Sequence, residues 1–323
     1  MAKVKPMIRW FIFGICAAFV SSCSATRTVS YSGRPVLSPE IFGEGVISRP
    51  DESVFDIAFT PDGQMAYFTR RKANAKQQIF ESDFVNGQWS SPKVCSFSTD
   101  RDEAPFLSSD GKTLFFGSER PLPQQPNEGG FDMNIWQTTK TATGWSTPTP
   151  LPPTINSVQQ KGEEWPSSNA NFIFSLDGTD YLYTTMVRGT KTIEVYRTTR
   201  TNNTFTQPTK ISGLFGEEGE GKYWKYSAVI SPNGQYMMFN STDAPGGVGG
   251  EDIYVCQKTA TGWSRARGIG SAVNTKAEES SPRFSRDGKY FFFGREKRTD
   301  PAADGIWSLY YIETAALRLD KLF

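Results

Sequence analysis

One pattern of eleven residues occurs five times in this chain of 323 residues. Each copy has Asp-Gly or Asn-Gly at its fourth and fifth positions and ends in a run rich in aromatic residues. The copies read FTPDGQMAYFT from Phe59, LSSDGKTLFFG from Leu107, FSLDGTDYLYT from Phe174, ISPNGQYMMFN from Ile230 and FSRDGKYFFFG from Phe284. The glycine supplies the positive φ of a tight turn, and the aromatic run predicts a strand that is buried on both faces.

The intervals between the copies indicate the size of the repeating unit. They are 48, 67, 56 and 54 residues when counted at the turn residues Asp62, Asp110, Asp177, Asn233 and Asp287, which is the range of propeller blades. The heptapeptide KTATGWS, found at 140–146 and again at 258–264, indicates duplication. Each unit has room for four antiparallel strands and cannot bury both faces alone, so the units must close into a ring. We predict an all-β protein, a five-bladed β-propeller.

The start of the chain contains a candidate for the fourth strand that the last copy lacks. No convincing fourth strand follows the last copy, whereas YSGRPVLSPEIFGEGVIS at 31–48 resembles a fourth strand with its exit loop. We therefore expect an N-terminal strand to complete the last blade and close the ring by main-chain pairing. The predicted organisation is a signal peptide over 1–22, a tether over 23–30 and one propeller domain over 31–323.

The first residues are typical of a secretory signal peptide. Three cationic residues precede an apolar run from Trp10 to Val20, and the sequence VSSC follows. VSSC resembles the lipobox of bacterial lipoproteins, which implies that Cys23 is acylated and becomes the first residue. An ordinary signal cut near Ala25, or an uncleaved anchor, is the alternative, although the run is short for a membrane span. We expect a lipoprotein of the bacterial cell envelope, held at the outer membrane and facing the periplasm or the cell surface.

Composition excludes several kinds of chemistry. The chain has no histidine, so histidine-activated nucleophiles, imidazole-bound zinc and a histidine general base are absent. The formal charge of +1 becomes −2 when the cations of the signal peptide are removed, and no basic patch indicates nucleic acid. Cys95 and Cys256 occupy different repeats, which argues against a disulfide. No cofactor and no metal site is predicted.

At these repeats the chain resembles the TolB-like bacterial propellers, whose WD-like blades carry Pro-Asp-Gly turns. The resemblance spans roughly residues 31–315 and implies the propeller fold. It says little about function, because this fold carries partner-binding scaffolds, glycan binders and enzymes. TolB itself has six blades and a separate N-terminal domain, neither of which is predicted here, so the partners of TolB are not carried over.

Long, irregular connections all fall at one end of the predicted ring, where a rigid scaffold would position functional loops. Acidic residues precede the innermost strand of most blades: Asp51, Glu52, Asp102, Glu103, Glu163, Glu164, Glu278 and Glu279. They could form a rim of carboxylates that binds a cation or performs acid-base work on a sugar. The alternative is structural, with each carboxylate accepting backbone N–H groups of the neighbouring blade.

Departures from the repeat are the other candidate binding residues. The third blade has Trp165 where other blades have small residues, and the fourth has Tyr223, Trp224 and Tyr226. Exposed aromatic residues there could stack on sugar rings or anchor a peptide, or they could plug the channel. Arg295, which opens the last long loop, is a further tentative binding residue.

Three functions remain open from the sequence. The first is a non-catalytic, lipid-anchored binding module for an envelope protein or a cell-surface glycan, which touches the membrane only through its lipid. The alternative is a glycosidase-like enzyme that uses carboxylates alone and needs two acids in unlike surroundings across one pocket. The third is a structural part of a larger envelope assembly. The missing histidine and the absence of a nucleophile motif favour the binding module.

Overall fold

The computed structural model describes residues 29–123, 132–156, 180–187, 190, 192–202, 204–298 and 305–323, together with the backbone of 170–174. The predicted signal peptide and Cys23 lie outside these residues, as do Glu163, Glu164 and Trp165. Within the described ranges no helix is long and apolar enough to cross a bilayer.

The described chain is almost entirely β-structure, with three short 3₁₀ helices at Glu217–Gly219, Thr314–Leu317 and Leu319–Lys321. The strands, in chain order, are β1 (Glu40–Ile41), β2 (Glu52–Phe59), β3 (Met65–Lys72), β4 (Gln78–Val85), β5 (Gln88–Trp89), β6 (Lys93–Val94), β7 (Asp102–Leu107), β8 (Thr113–Ser118), β9 (Asn134–Thr141), β10 (Gly144–Trp145), β11 (Thr149–Pro150), β12 (Ala170–Phe174), β13 (Asp180–Met186), β14 (Ile193–Thr201), β15 (Thr204–Phe205), β16 (Thr209–Lys210), β17 (Tyr226–Ile230), β18 (Tyr236–Thr242), β19 (Glu251–Gln257), β20 (Arg267–Gly268), β21 (Glu279–Phe284), β22 (Tyr290–Lys297) and β23 (Ile306–Glu313).

The strands form five antiparallel sheets, which are the five blades of a propeller, so the predicted all-β architecture of five blades is confirmed. The inner strands are β2, β7, β12, β17 and β21. The first three blades split their outermost strand into two short pieces, β5 and β6, β10 and β11, and β15 and β16. In the fifth blade the outermost position is occupied by β1, which pairs with β23 through Glu40 opposite Tyr311 and Ile41 opposite Tyr310.

The repeated turns join the first and second strands of the blades at one end of the ring, which we call the turn face. In the first blade the Asp62 carboxylate accepts hydrogen bonds from the Thr60 hydroxyl (2.6 Å) and the Gln64 N–H (3.1 Å). Gly63 has a φ of 68°, as this turn requires. The same contacts recur at Asp110, Asn233 and Asp287. In these four copies the repeat in the sequence is therefore a repeat of side-chain hydrogen bonds, and Asp177 of the third copy lies outside the described residues.

The second-to-third and blade-to-blade connections lie at the opposite end, which we call the loop face. Near it every inner strand has a β-bulge. Asp56, Ala104, Ser227 and Ser281 sit in four of these bulges with φ between 43° and 54°, a region that non-glycine residues seldom adopt. A bulge re-aims the side chains of a strand, and bulges are frequent beside functional sites.

Two arginines of the fifth blade tie the inner strands together around the axis. Arg283 is buried and donates to the Asp56 carboxylate of the first blade at 2.6 Å. Nearer the turn face, Arg286 donates to the carbonyl oxygens of Phe59 (3.2 Å) and Ser108 (2.9 Å) and also to that of Leu107. Together these contacts place cationic side chains across the turn-side half of the axis.

Aromatic and aliphatic residues fill the spaces between the blades. Between the fifth and first blades, Phe42 contacts the rings of Phe59 at 6.1 Å and Phe292 at 4.9 Å between centroids. Cys95 and Cys256 are both buried in such clusters of different blades and are free thiols.

Candidate functional site

A polar cavity of about 290 Å³ lies on the propeller axis at the loop face. It is lined by residues of the first, second, fourth and fifth blades: Phe55, Asp56, Thr69, Gln77, Arg101, Glu103, Tyr226, Ser227, Asn240, Glu251, Ser280 and Ser281. Most of these residues carry an amide, a hydroxyl or a carboxyl group, and two of them are aromatic. The size suits a small ligand or one end of a larger one.

The bulges of the inner strands place several of these side chains. Asp56, Ser227 and Ser281 are the left-handed residues of their bulges and all three line the cavity. The bulges are held from the neighbouring blade, because the Thr69 hydroxyl accepts the Ala104 N–H at 2.9 Å and the Asn240 side chain accepts the Ser281 N–H at 3.2 Å. The lining is therefore supported by hydrogen bonds between blades.

Glu103 contributes a carboxyl group from the second blade. Burial raises the pKa of Glu103 to about 7, although the Arg101 guanidinium 3.5 Å away opposes this shift. Arg101 also pairs with Glu119 at 3.0 Å, so its charge is shared between two carboxylates. Near neutral pH the Glu103 carboxyl exchanges between a hydrogen-bond donor and an anion.

Glu251 contributes a second carboxyl group from the first residue of β19. Burial raises the pKa of Glu251 to about 8, and the negative charges of Glu278, Glu296 and Asp252 add to the effect. The Asn240 side-chain amide donates a hydrogen bond to Glu251, which stabilises the anion in part. At neutral pH the Glu251 side chain is mainly a neutral acid that can donate a hydrogen bond.

Asp56 contrasts with these two acids because a buried cation faces it. The Arg283 guanidinium lies 2.6 Å from the Asp56 carboxylate, and both side chains are less than a tenth exposed. Burial lowers the pKa of Arg283, while the attraction of Asp56 raises it. The cavity thus contains an ion-paired carboxylate and two carboxyl groups whose pKa values are raised to about 7 and about 8.

Aromatic side chains give the cavity apolar surface. Tyr226 and Phe55 belong to the lining, and each is supported from outside by a tryptophan. Trp224 contacts Tyr226 edge to face at 5.8 Å, and Trp307 contacts Phe55 at 5.7 Å. Burial raises the pKa of the Tyr226 hydroxyl, which is therefore a neutral donor across the physiological range.

Of the residues predicted from the sequence, Glu103 and Tyr226 are brought together in the cavity, and Trp224 lies against Tyr226. Tyr223 instead packs against Phe215 at 5.3 Å and lies under the Lys222 ammonium. Glu278 is partly exposed beside Arg298 and has a pKa raised by burial.

Asp102, Glu279 and Arg295 are part of the blade framework and do not line the cavity. Asp102 is fully buried against Arg120 at 2.7 Å, and Glu279 is fully buried against Arg295 at 2.7 Å. Glu52 occupies the equivalent position in the first blade and pairs with Arg70 at 3.3 Å. The main partners of these acids are arginine side chains of their own blades, where the structural alternative expected backbone N–H groups of the neighbouring blade.

Several residues of the cavity were not singled out by the sequence analysis, namely Phe55, Asp56, Asn240, Glu251, Ser227, Ser280 and Ser281. One signal was present, because Asp56 and Arg283 are charged residues inside the inner strands β2 and β21. The described side chains include no set of three or more acids or cysteines arranged to hold a metal ion.

The fold and site define a five-bladed β-propeller with a polar axial cavity at its loop face. A scan against protein-family models finds no match, and a search of curated proteins finds none either. Solved structures with this fold include a thermostable family-43 glycoside hydrolase, which is 15% identical with a TM-score of 0.52 over 82% of this chain and 91% of that chain.

The catalytic domain of the GH62 α-L-arabinofuranosidase of Coprinopsis cinerea is similar to the same degree, at 12% identity and a TM-score of 0.52, covering 86% of this chain and 97% of that one. TolB from Acinetobacter baumannii is 16% identical with a TM-score of 0.48 over 82% of this chain. The chain spans about half of that TolB, 53% of its length. At these identities the likeness shows the fold alone.

Proposed function

We propose that this protein is a carbohydrate-binding propeller of the bacterial cell envelope. Its axial cavity holds a neutral sugar, and an acylated Cys23 holds the propeller at a membrane, most simply the outer membrane. The lining of the cavity is the observation that carries this proposal, since amides, hydroxyls and carboxyls line it beside two aromatic rings, and its one guanidinium, Arg101, is paired with Glu103 and Glu119.

The chemistry of the lining fits a sugar better than a peptide anchor or a strongly charged ligand. A sugar ring presents several hydroxyl groups that both donate and accept hydrogen bonds, together with an apolar face that stacks on aromatic residues. Asn240, Ser227 and the carboxyl groups of Glu103 and Glu251 supply both donors and acceptors. The Asp56 charge is already matched by Arg283, so the site does not require a charged ligand.

Two of the solved structures with a similar fold are glycoside hydrolases. This is compatible with a carbohydrate ligand, but the support for the proposal is the lining of the cavity in this chain.

The test of binding is calorimetry of the mature protein with a panel of neutral and acidic oligosaccharides prepared from envelope polysaccharides. We expect Tyr226→Ala to weaken the tightest ligand by about tenfold or more, because a stacking face and a hydroxyl donor are lost together. Glu251→Gln keeps a donor and an acceptor and should retain most of the affinity, whereas Glu251→Ala should not.

Glu218→Ala is the matched control, because Glu218 is 69% exposed and outside the cavity. Affinity for no oligosaccharide, or equal affinity in wild type and in Tyr226→Ala, would contradict a sugar site in this cavity.

The proposed anchor is tested separately. Cys23→Ala should move the protein from the membrane fraction to the soluble fraction, because two or three acyl chains provide the membrane affinity. Persistence of Cys23→Ala in the membrane pellet after a carbonate wash would refute acylation at this cysteine as the anchor.

One observation favours a second candidate, a glycosidase-like enzyme. Glu251 is mainly protonated at neutral pH while Asp56 is ion-paired, and carboxylate-based hydrolysis needs one protonated acid and one ionised carboxylate beside the same bond. If this reading is correct, the best-bound oligosaccharide is cleaved with release of reducing ends. Glu251→Gln should then abolish cleavage while binding remains. If the wild-type protein binds the oligosaccharide but does not cleave it, the enzyme is excluded and the non-catalytic binding module is the function that remains.

A further inference from the structure

We infer that the propeller is seated with its turn face against the lipid headgroups, so that the cavity opens away from the membrane. This inference rests on the acylated Cys23 of the proposed function. It goes further by assigning an interaction surface to the turn face and the bilayer as its partner.

The first described residues lie on the turn face. The Tyr31 hydroxyl donates to the Gly63 carbonyl at 3.1 Å, and Gly63 is the glycine of the first repeated turn. Val29 covers the same glycine so closely that a Cβ atom there would lie 2.8 Å from the Val29 methyl group. The Ser30 hydroxyl is 3.3 Å from the hydroxyl of Tyr290, which follows the last repeated turn.

Tyr31 fixes this position by its packing. Its ring contacts Phe59 at 5.3 Å in a stacked arrangement and Phe42 at 5.5 Å edge to face, between the fifth and first blades. From there the chain runs toward the loop face through β1, whose strand is antiparallel to β23. The tether therefore joins the propeller at the end opposite to the cavity.

The length of the tether decides which face meets the membrane. Five residues separate Cys23 from Val29, so even a fully extended chain reaches only about 20 Å. A strand of eight residues such as β2 spans about 26 Å. The tether is therefore too short for an acylated Cys23 to lie in a bilayer that contacts the loop face. The turns are the surface of the propeller nearest to the headgroups.

Quenching of fluorescence in lipid vesicles tests the orientation. Gln235 directly precedes β18 on the turn face, and Val248 lies in the loop between β18 and β19 on the loop face of the same blade; both residues are exposed. The lipoprotein carrying Gln235→Cys or Val248→Cys can be labelled at that site, because Cys95 and Cys256 are buried. Vesicles of phosphatidylglycerol and phosphatidylethanolamine with a nitroxide on the lipid headgroup serve as the quencher.

We expect the label at position 235 to be quenched at least about twice as strongly as the label at 248. Insertion of about 20 Gly/Ser residues between Ala25 and Thr26 adds a flexible chain of roughly 25 Å, which should reduce the difference. Equal quenching at the two sites with the natural tether, or stronger quenching at 248, overturns the orientation while leaving the anchor and the sugar site intact. If the lipoprotein does not float with the vesicles, the anchor fails, and the orientation fails with it.

Discussion

Glutamate side chains have different roles in this propeller, depending on the residues around them. Glu52 and Glu279 begin inner strands and are buried against arginines of their own blades. Glu103 and Glu251 lie beside the axis, where burial raises their pKa values to about 7 and about 8. Glu52 and Glu279 support the blades, whereas Glu103 and Glu251 give the cavity carboxyl groups that can be protonated near neutral pH.

These raised pKa values predict that stability falls as the pH rises. An unfolded glutamate has a pKa of about 4.3, so between that value and about 8 the folded state holds more protons than the unfolded chain. The free energy of unfolding should therefore decrease from about pH 4.5 to pH 8 and then level off. We expect the melting temperature of wild type to fall by about 3 °C or more between pH 5.5 and 8.5.

The Glu103→Gln/Glu251→Gln double variant should show a flatter profile over this range. The absence of histidine removes the residues that usually titrate there. Parallel profiles for the two proteins would show that these carboxyls are not the source of the dependence.

The Arg283–Asp56 pair predicts a large effect of a single substitution. Arg283→Met leaves the buried Asp56 carboxylate without its cation, and such a loss costs about 3 to 5 kcal/mol of unfolding free energy. Arg265→Met is the control, because Arg265 and Glu218 form a pair at 3.1 Å with about two thirds of each side chain exposed. Urea denaturation should show at most about 0.5 kcal/mol for Arg265→Met. A similar loss for both variants would contradict the role given to burial.

At the scale of elements, the bulge of each inner strand connects the framework to the cavity. A residue in the left-handed region interrupts the strand. At Ala104 and Ser281, the N–H of this residue donates a hydrogen bond to a side chain of the neighbouring blade. Backbone strain of this kind persists only where the surroundings maintain it. The hydrogen bonds between blades are therefore expected to maintain the bulges.

Thr69→Val tests this dependence. Valine has nearly the same shape as threonine but cannot accept the buried Ala104 N–H, and an unpaired buried donor costs about 1 to 3 kcal/mol. Thr69→Ser keeps the hydroxyl and should cost less than Thr69→Val in urea denaturation. A loss for Thr69→Val no larger than that for Thr69→Ser, which removes only the methyl group, would contradict the importance given to the hydrogen bond.

At the scale of the whole molecule, the meeting of the fifth and first blades brings the two ends of the ring together. Phe42 is 1% exposed and contacts aromatic residues of both blades. Its neighbour in the chain, β1, is hydrogen-bonded to β23. If this junction holds the ring, its loss should affect the stability of all five blades together.

Phe42→Ala should accordingly lower the free energy of unfolding by about 3 to 5 kcal/mol in a single transition. Leu37→Ala is the control, since Leu37 is 68% exposed and should change stability by less than about 0.5 kcal/mol. Circular dichroism and tryptophan fluorescence during urea denaturation give the two probes. A separate early transition in one probe would show that the junction unfolds independently of the other blades.

The fold was predictable because it depends on local chemistry that recurs. The Asp-Gly and Asn-Gly turns and the aromatic strands appear in the sequence at regular intervals, and five blades are observed. The cavity was predictable only in part, through Glu103 and Tyr226. Asp56 and Arg283 are 227 residues apart and meet only because the ring closes, and the bulges turn side chains away from strict alternation. Neither effect leaves a pattern in sequence spacing.

The arginines on the axis are relevant to how a ligand can enter and leave. Arg283 and Arg286 reach from the fifth blade to oxygen atoms of the first and second blades. Under the proposed function, we expect a ligand to enter and leave at the loop face, so that a long polymer is held by a terminus or by a side branch.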